Sequence, residues 1–549
     1  MARQSAMSPS CGQRRTSLLL ALLVLAAFAW RVQGLGEQSL WRDEVDAVYF
    51  ATRDLPETLS MFVRAGQNGA LYFLALRPWF SLVGTSEFAL RYPSAMAGAL
   101  AVALVWQVGR WLLPLRPPPR DLASTAPPLG GSRPRGTAQE PAALLAALFL
   151  AFNPYQLWYS QEGKMYTIIT ALVLAASWCW LAGIRRGGWR PWLGYWFFVT
   201  VGMYTHLLLI LVIPLHLLWV VLAWPAARVR LLGYGAALAG LTLPYLPMLL
   251  WQWELLMATT QHTGFSFTPL DEMARTLLYN HSRGFMPPGD LVWMAPVFFL
   301  GAAGGLLGLG EIASCHMDRR SALCLAPWRR FALLISWLIV PVLGLYLLSL
   351  RQPIFTDRYA IWIAPAAMLL LGLGVVVVRR YTWGPGIDLG KALAVALVLY
   401  VLGFWLVAGW QQKTLPTKYD LRSGVRYVAE RRSPDALLIL QIPHLRYAYQ
   451  YYTSDFGPRP FTGGDERLGA WREGVYTNWG QPDEIARQEV DRQMRQATAG
   501  YRDVWVLRSE VEMWDQRHLM DEWLAAHGTL VERADFHGVQ VRRYELAGQ

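Results

Sequence analysis

A chain of 549 residues that is 54% hydrophobic and only 16% charged, with 27 Trp, is not an ordinary soluble protein, for which about 25% charged residues is usual. The net charge of +12 does not make it a nucleic-acid binder either, because Arg and Lys collect in short loops between apolar runs. There they orient helices, and no basic helix or aromatic platform accompanies them.

The N-terminus, residues 1–16, carries Arg3, Arg14 and Arg15 ahead of an apolar run from Ser17 to about Leu35. The pattern resembles a signal peptide, with Ala27-Phe28-Ala29 in the place of a cleavage site. The number of later spans favours an uncleaved first helix with its N-terminus in the cytoplasm. The first external loop, 36–91, then opens with LWRDEVDAVYF and its acids Asp43, Glu44 and Asp46. Within it, NGALYFLALRPWFSLVG (68–84) is short, aromatic and interrupted by Arg77-Pro78, which predicts a helix lying in the membrane interface.

A second span is expected from Tyr92 to Leu113, followed by a Pro/Gly-rich cytoplasmic linker, 114–141, with Arg116, Arg120, Arg133 and Arg135. Spans over 142–159 and 166–184 bracket Glu162 outside and end at Arg185, Arg186 and Arg190 inside. The stretch 192–224 predicts two short helices turning at Tyr204-Thr205-His206. A span over 231–253 leads to an external loop, 254–290, containing His262 and His281 as residues of a lid. Three spans follow, over 291–310, 332–350 and 360–378, with Arg319, Arg320, Arg329, Arg330 and Arg379-Arg380 inside and Arg351, Asp357 and Arg358 outside. A last span over 391–410 brings the count to about eleven and places 412–549 outside.

Residues 412–549 read as a small α/β domain. DALLILQI (435–442), DVWVLRS (503–509) and VQVRRYEL (539–546) predict strands. SGVRYVAERR and HLMDEWLAAHG predict helices, the second ended by Gly528. The four cysteines offer no external disulfide, since Cys11, Cys315 and Cys324 fall inside and Cys179 within a span, and none has zinc-ligand spacing.

Asp43, Glu44, Glu162, Arg91 and Arg358 thus collect at one membrane face. Alone, each has a bland explanation: a solvated acid, an acid paired with Lys164, or an Arg snorkelling to headgroups. Together they suit glycosyl transfer from a lipid phosphate. A carboxylate accepts the proton of an attacking hydroxyl, the transition state has oxocarbenium character, and fixed positive charge stabilises the departing phosphate.

LWRDEVDAVYF (40–50), NGALYFLALRPWFSLVGTSEFALRYPSAMAGAL (68–100), YSQEGKMYTIITAL (159–172), MYTHLLLIL (203–211) and DRYAIWIAPAAMLLL (357–371) occur in an order that resembles the GT-C membrane glycosyltransferases. The likeness is to the dolichyl-phosphate-mannose-protein mannosyltransferase and aminoarabinose-transferase-like superfamily. It implies a polytopic helical fold in the cell membrane, a polyprenyl-phosphate sugar donor, and an external acceptor that is a protein, a glycolipid or a surface glycan. The family's catalytic carboxylate maps onto Asp43, with Glu44 beside it, and the acid of its second external loop onto Glu162. Arg358 maps onto a contact to the lipid phosphate, with Arg91 and Lys164 as helpers. Asn68, Tyr72 and His206 complete the expected substrate contacts, and Asp46 is expected to be solvated. Many relatives carry His-Pro-Pro where this chain has Asn68-Gly69-Ala70, so a divalent metal, with Asp43 and Glu162 as candidate ligands, stays an open question. A flippase for lipid-linked sugars and a non-catalytic scaffold are the alternatives. Against the first, no internal repeat is visible and the acids lie at one face rather than at the midplane.

Overall fold

Apolar runs that cross hydrocarbon must satisfy every backbone N–H and C=O within their own segment, which leaves the helix as the solution for single runs. The computed structural model describes residues 11–64, 67–113, 139–257, 266–285, 291–313, 327–379, 388–453, 469–478 and 482–547. The expected linker from 114 to 138, His262, Arg319, Arg320, Cys315 and Cys324 lie outside the described residues. In chain order the first helices are α1 (Cys11–Val32), α2 (Arg42–Thr52), α3 (Leu55–Phe62), α4 (Ala70–Val83) and α5 (Glu87–Leu112). They are followed by α6 (Gln139–Phe152), α7 (Pro154–Ser160), α8 (Tyr166–Arg186), α9 (Trp189–Thr205) and α10 (Val212–Leu222).

Among the described residues, seven helices are long and apolar enough to cross a membrane: Arg14–Val32, Glu87–Leu112, Tyr166–Arg186, Arg228–Trp251, Trp328–Ser349, Asp357–Val378 and Leu389–Thr414. Shorter apolar helices cover Ala70–Val83, Pro141–Phe152, Leu207–Leu222 and Ala295–Gly305. The fold is that of a polytopic helical protein with a small C-terminal sheet, as the sequence predicts. The chain divides into two compact units. One comprises Met1–Gln33, Phe62–Tyr72 and Tyr92–Gln412, and the other Gly34–Met61, Phe73–Arg91 and Lys413–Gln549. The C-terminal segment therefore forms one unit with most of the first expected external loop.

Within the membrane-helix unit, the span expected over 142–159 is broken. Asn153 caps α7 by accepting from the Gln156 N–H at 3.0 Å, and Pro154 has no N–H to give the carbonyl four residues back. Arg31 of α1 takes up the orphaned carbonyls. Its Nη2 donates to Leu150 O at 3.1 Å and its Nη1 to Ala151 O at 2.7 Å, while Nε donates to Ser160 at 3.1 Å. A fully buried arginine here closes a helix end. The turn expected near 204–206 falls at His206, where α9 stops and a 3-10 turn, Leu207–Leu211, leads into α10. Helix Ala364–Val378 packs closely because two of its positions lack a Cβ. A methyl at Gly372 would collide with Ala142 O of α6, and one at Gly374 with Leu300 O of helix Ala295–Ala313, a small-residue approach typical of membrane helices.

In the C-terminal unit the strands are β1 (Leu437–Leu440), β2 (Trp471–Glu473), β3 (Asp503–Ser509), β4 (Gly528–Phe536) and β5 (Val539–Leu546), in the order β2-β1-β3-β5-β4. β1 pairs in parallel with β2 and β3, and β5 is antiparallel to β3 and β4. All four residues of β1 are buried, as a parallel strand covered on both faces requires. Leu437, Ile439, Val504 and Val506 pack under helices Asp483–Thr498 and Leu519–His527. On the other face Gly424 of helix Leu421–Arg431 abuts Val539 and Leu507. The three expected strands form. β2 and β4 were not anticipated, because one is three residues long and the other is charged and mostly exposed. Gly528 ends helix Leu519–His527 as expected, its N–H donating to Leu524 O, and it also begins β4, where a Cβ would come within 2.8 Å of Leu546 Cδ2.

Candidate functional site

The acidic stretch expected as a loop is a helix. Glu44, Ala47, Val48 and Ala51 recur on one buried face of α2, the spacing of an amphipathic helix. Asp43 and Glu44 fall in its first turn, where the helix dipole favours negative charge. The C-terminal end is closed by Arg77, whose Nη1 donates to Ala51 O at 3.1 Å and Arg53 O at 2.6 Å.

Glu44 sits on the buried face with 0% exposure. Arg91 meets it with two parallel hydrogen bonds, Nε to Oε1 and Nη2 to Oε2, each 2.7 Å. The remaining Arg91 donors go to the carbonyls of Leu35, Gln38 and Ser39 at 2.8–2.9 Å. All five guanidinium N–H groups are thereby engaged, and Arg91 has no donor left for a lipid phosphate. Its expected role as a substrate contact is corrected to that of a clamp on the segment preceding α2. Lys418 Nζ donates to both Glu44 oxygens at 3.1 and 3.2 Å, so Glu44 is one anion between two buried cations rather than an accessible neighbour of Asp43.

Asp43 lies on the flank of α2, its side chain 17% exposed. Arg42 connects it to a residue that sequence reasoning missed: Nη2 is 3.6 Å from Asp43 Oδ1 and Nε is 3.3 Å from Glu510 Oε2. Glu510 adopts φ +50°, a left-handed conformation rare for residues with a Cβ and concentrated at functional sites. Burial pushes its carboxyl pKa up, Arg42 pulls it down, and Asp43 adds to the rise. Asp46 is not solvated as expected. It is buried and faces His444, with Nδ1 3.2 Å from Oδ2. Tyr447 stacks on Tyr49 at 4.0 Å beside them. His444 and Glu510 follow the carboxyl ends of β1 and β3, two adjacent parallel strands. That edge is where parallel sheets present functional groups, and it is the signal by which both residues were findable.

The membrane-helix unit holds a second cluster. Glu162 sits in the short turn between α7 and α8, 2% exposed, and is thus buried rather than displayed as a surface acid. The turn is pinned by Ser94, whose hydroxyl donates to Lys164 O at 2.6 Å. Tyr159 lies in the fields of Asp357, Glu162 and Arg358 and donates to Asp357 Oδ2 at 3.3 Å. Asn280 donates to the same oxygen at 2.9 Å. Arg358 stands 5.6 Å from the centre of the Tyr166 ring, within cation–π range. His206 packs 4.8 Å from Tyr359, and its Nδ1 accepts from Leu208 N–H at 3.3 Å, so the neutral ring carries its proton on Nε2. Asn68 Oδ1 accepts from Leu207 N–H at 2.8 Å. Asn68 and His206 thus jointly cap the 3-10 turn, and Tyr72 is buried in the same unit.

Glu162, Lys164, Arg358 and His206 are therefore gathered in the membrane-helix unit, and Asp43, Glu44 and Arg91 in the C-terminal unit. Among the described residues no group of three or more His, Cys, Asp or Glu side chains is arranged to hold a metal ion.

An apolar groove of about 680 Å³ lies along the helix that follows Arg358, lined among others by Ile363, Ala367, Met368 and Leu371, with Leu277 and His281 from helix Leu270–Arg283.

No protein-family model matches the sequence, and no curated protein matches it. Solved structures do resemble it. ArnT from Cupriavidus metallidurans in the apo state aligns over 97% of this chain and 98% of its own, at 13% identity and a TM-score of 0.53. The same protein bound to undecaprenyl phosphate aligns over 96% and 97%, at 12% identity and a TM-score of 0.50. The archaeal oligosaccharyltransferase AglB from Archaeoglobus fulgidus, in complex with an inhibitory peptide and a dolichol-phosphate, aligns over 98% of this chain and 75% of its own, at 12% identity and a TM-score of 0.54. These proteins are GT-C superfamily membrane glycosyltransferases, and the chain has their fold.

Proposed function

We propose that this protein is an integral-membrane glycosyltransferase that moves a sugar from a polyprenyl-phosphate carrier to a hydroxyl acceptor on the extracytoplasmic side of the cell membrane. The observation that carries the reading is the pairing of charge and grease on one element. Asp357 and Arg358 begin the helical segment whose later residues Ile363, Ala367, Met368 and Leu371 line the apolar groove. A lipid phosphate needs that combination: fixed positive charge for the head and an apolar trough for the chain. The fold shared with an undecaprenyl-phosphate-bound ArnT and a dolichol-phosphate-bound AglB supports the same choice of donor.

In this reading Asp43 takes the acceptor's proton as its oxygen forms a bond to the anomeric carbon. The bond from that carbon to the phosphate oxygen breaks, and the polyprenyl phosphate leaves with the electron pair. Attack opposite the leaving group inverts the anomeric centre. Arg358 neutralises the departing phosphate, so no strong general acid is needed. Glu162, whose turn is held rigid, orients polar groups of the substrate.

The test is a transfer assay in proteoliposomes with a panel of radiolabelled polyprenyl-phosphate sugars and membrane-extract acceptors. Release of polyprenyl phosphate coupled to labelled acceptor is the expected result. Movement of the labelled lipid between leaflets without transfer would replace this reading with that of a flippase.

A further inference from the structure

We propose that the ends of α5 and α8 form a binding site for the phosphate of an anionic membrane lipid, built by Arg110, Arg185 and Arg186 around Trp111. The site is separate from the groove and from the acidic clusters, and it does not rest on the transferase reading. Gln107, Arg110 and Trp111 are spaced i, i+3, i+4 on α5, and Trp178, Arg185 and Arg186 i, i+7, i+8 on α8. Both sets therefore lie on one face of their helix. The two faces enclose a cavity of about 430 Å³ lined by these six residues, within the size range of small-ligand pockets.

The charge within it is arranged rather than scattered. Both Arg185 and Arg186 stand 5.2 Å from the centre of the Trp111 ring, so one indole holds two guanidinium groups side by side through its negative face. Arg230 adds a further cation, its guanidinium packed against Gly187. Among the described residues, no ion pair engages Arg185, Arg186 or Arg230. Cations at the end of a membrane helix orient it and complement its dipole. That accounts for each arginine singly, Arg110 included, which lies in the last turn of α5 and stacks 4.6 Å from the Trp106 ring, but not for the cavity that the two helix ends enclose together. A phosphate is the anion whose geometry suits several guanidinium donors at once. The 21 residues of α8 rise about 30 Å, so the cavity lies a bilayer's thickness from the Glu162 turn. Basic pockets between helices at the headgroup level are where acidic lipid heads bind, and Trp111 and Trp178 are interface residues by type.

The experiment is native mass spectrometry of the full-length protein, delipidated and titrated with phosphatidylglycerol, phosphatidylcholine or inorganic phosphate. Wild type is expected to retain phosphatidylglycerol in preference to phosphatidylcholine. Arg185→Gln/Arg186→Gln should weaken that binding about thirtyfold, at roughly one kcal/mol per cation, and Arg185→Lys/Arg186→Lys, which keeps the charge, should retain most of it. Arg190→Gln/Arg228→Gln removes equal charge from outside the cavity and should change little. Displacement of the lipid by millimolar inorganic phosphate would assign the site to soluble phosphate-bearing ligands, and failure to displace it would assign the lipid. Equal losses in the Arg185/Arg186 and Arg190/Arg228 variants would overturn the proposal, because binding would then follow net charge alone.

Discussion

Glu44 and Arg91 form a two-bond ion pair, 2.7 Å at each contact, with both side chains out of solvent. The pair fixes the residues before α2 through three backbone carbonyls and so sets the position of Asp43. Replacing Glu44 by Gln leaves two buried cations, Arg91 and Lys418, without their anion. Breaking a buried pair in this way costs about 3–5 kcal/mol. Thermal unfolding of Glu44→Gln in detergent should show that loss, and Arg91→Lys should show much of it, since an ammonium cannot supply five donors in a plane.

Glu510 gives a pH signature with a definite sign. Its carboxyl pKa is raised in the folded chain from the ordinary 4.5, so folding takes up a proton between 4.5 and the raised value. Its contribution to stability is full below pH 4.5 and falls as the pH climbs through the raised value. In Glu510→Gln that fall is absent. Relative to wild type, the variant's Tm should therefore improve as pH rises from 4 to 8. A constant difference across the range would refute the burial argument.

In the proposed reaction Arg358 meets the donor phosphate, which separates its expected effect from that of the base. Arg358→Gln should raise KM for the polyprenyl-phosphate sugar and lower kcat, since phosphate charge grows in the transition state. Loss of one charged hydrogen bond, about 1.5–3 kcal/mol, corresponds to roughly 10–150-fold in kcat/KM. Steady-state kinetics with varied donor should recover part of this in Arg358→Lys.

Arg31 holds the carbonyls of Leu150, which Pro154 orphans, and of Ala151, at the Asn153-Pro154 break. Arg31→Met fits an apolar setting but abandons Leu150 O and Ala151 O inside the helix bundle. Each unsatisfied carbonyl costs about 1–3 kcal/mol. The variant should express with a Tm well below wild type, read by fluorescence-detected size exclusion after heating.

The contrast between what was legible and what was not has a physical basis. Spans are written locally, because each apolar run must satisfy its own backbone, and helices form at the expected positions, with the break at His206 where the turn was expected. The Asn153-Pro154 break was also in the sequence, yet only the fold reveals Arg31 as the side chain that closes it. Asp43 and Glu162 were singled out as acids in stretches read as loops, but the structure puts Asp43 in the first turn of α2 and buries Glu162 in the turn before α8. The burial of Glu44 was not, since its partner Lys418 lies 374 positions away. Asp46 was read as solvated for the same reason: His444 comes from the far C-terminal segment. Arg91 looked like a free cation at a helix end because three of its acceptors are backbone carbonyls, which sequence does not mark.

The central claim is that Asp43 is the base. Its most direct measurement is the single-turnover rate of sugar transfer by Asp43→Asn at saturating donor, with donor binding measured in parallel. The account predicts a rate at least 10²-fold lower, as expected for loss of a general base, with donor affinity close to wild type. A variant that transfers sugar at the wild-type rate would contradict it.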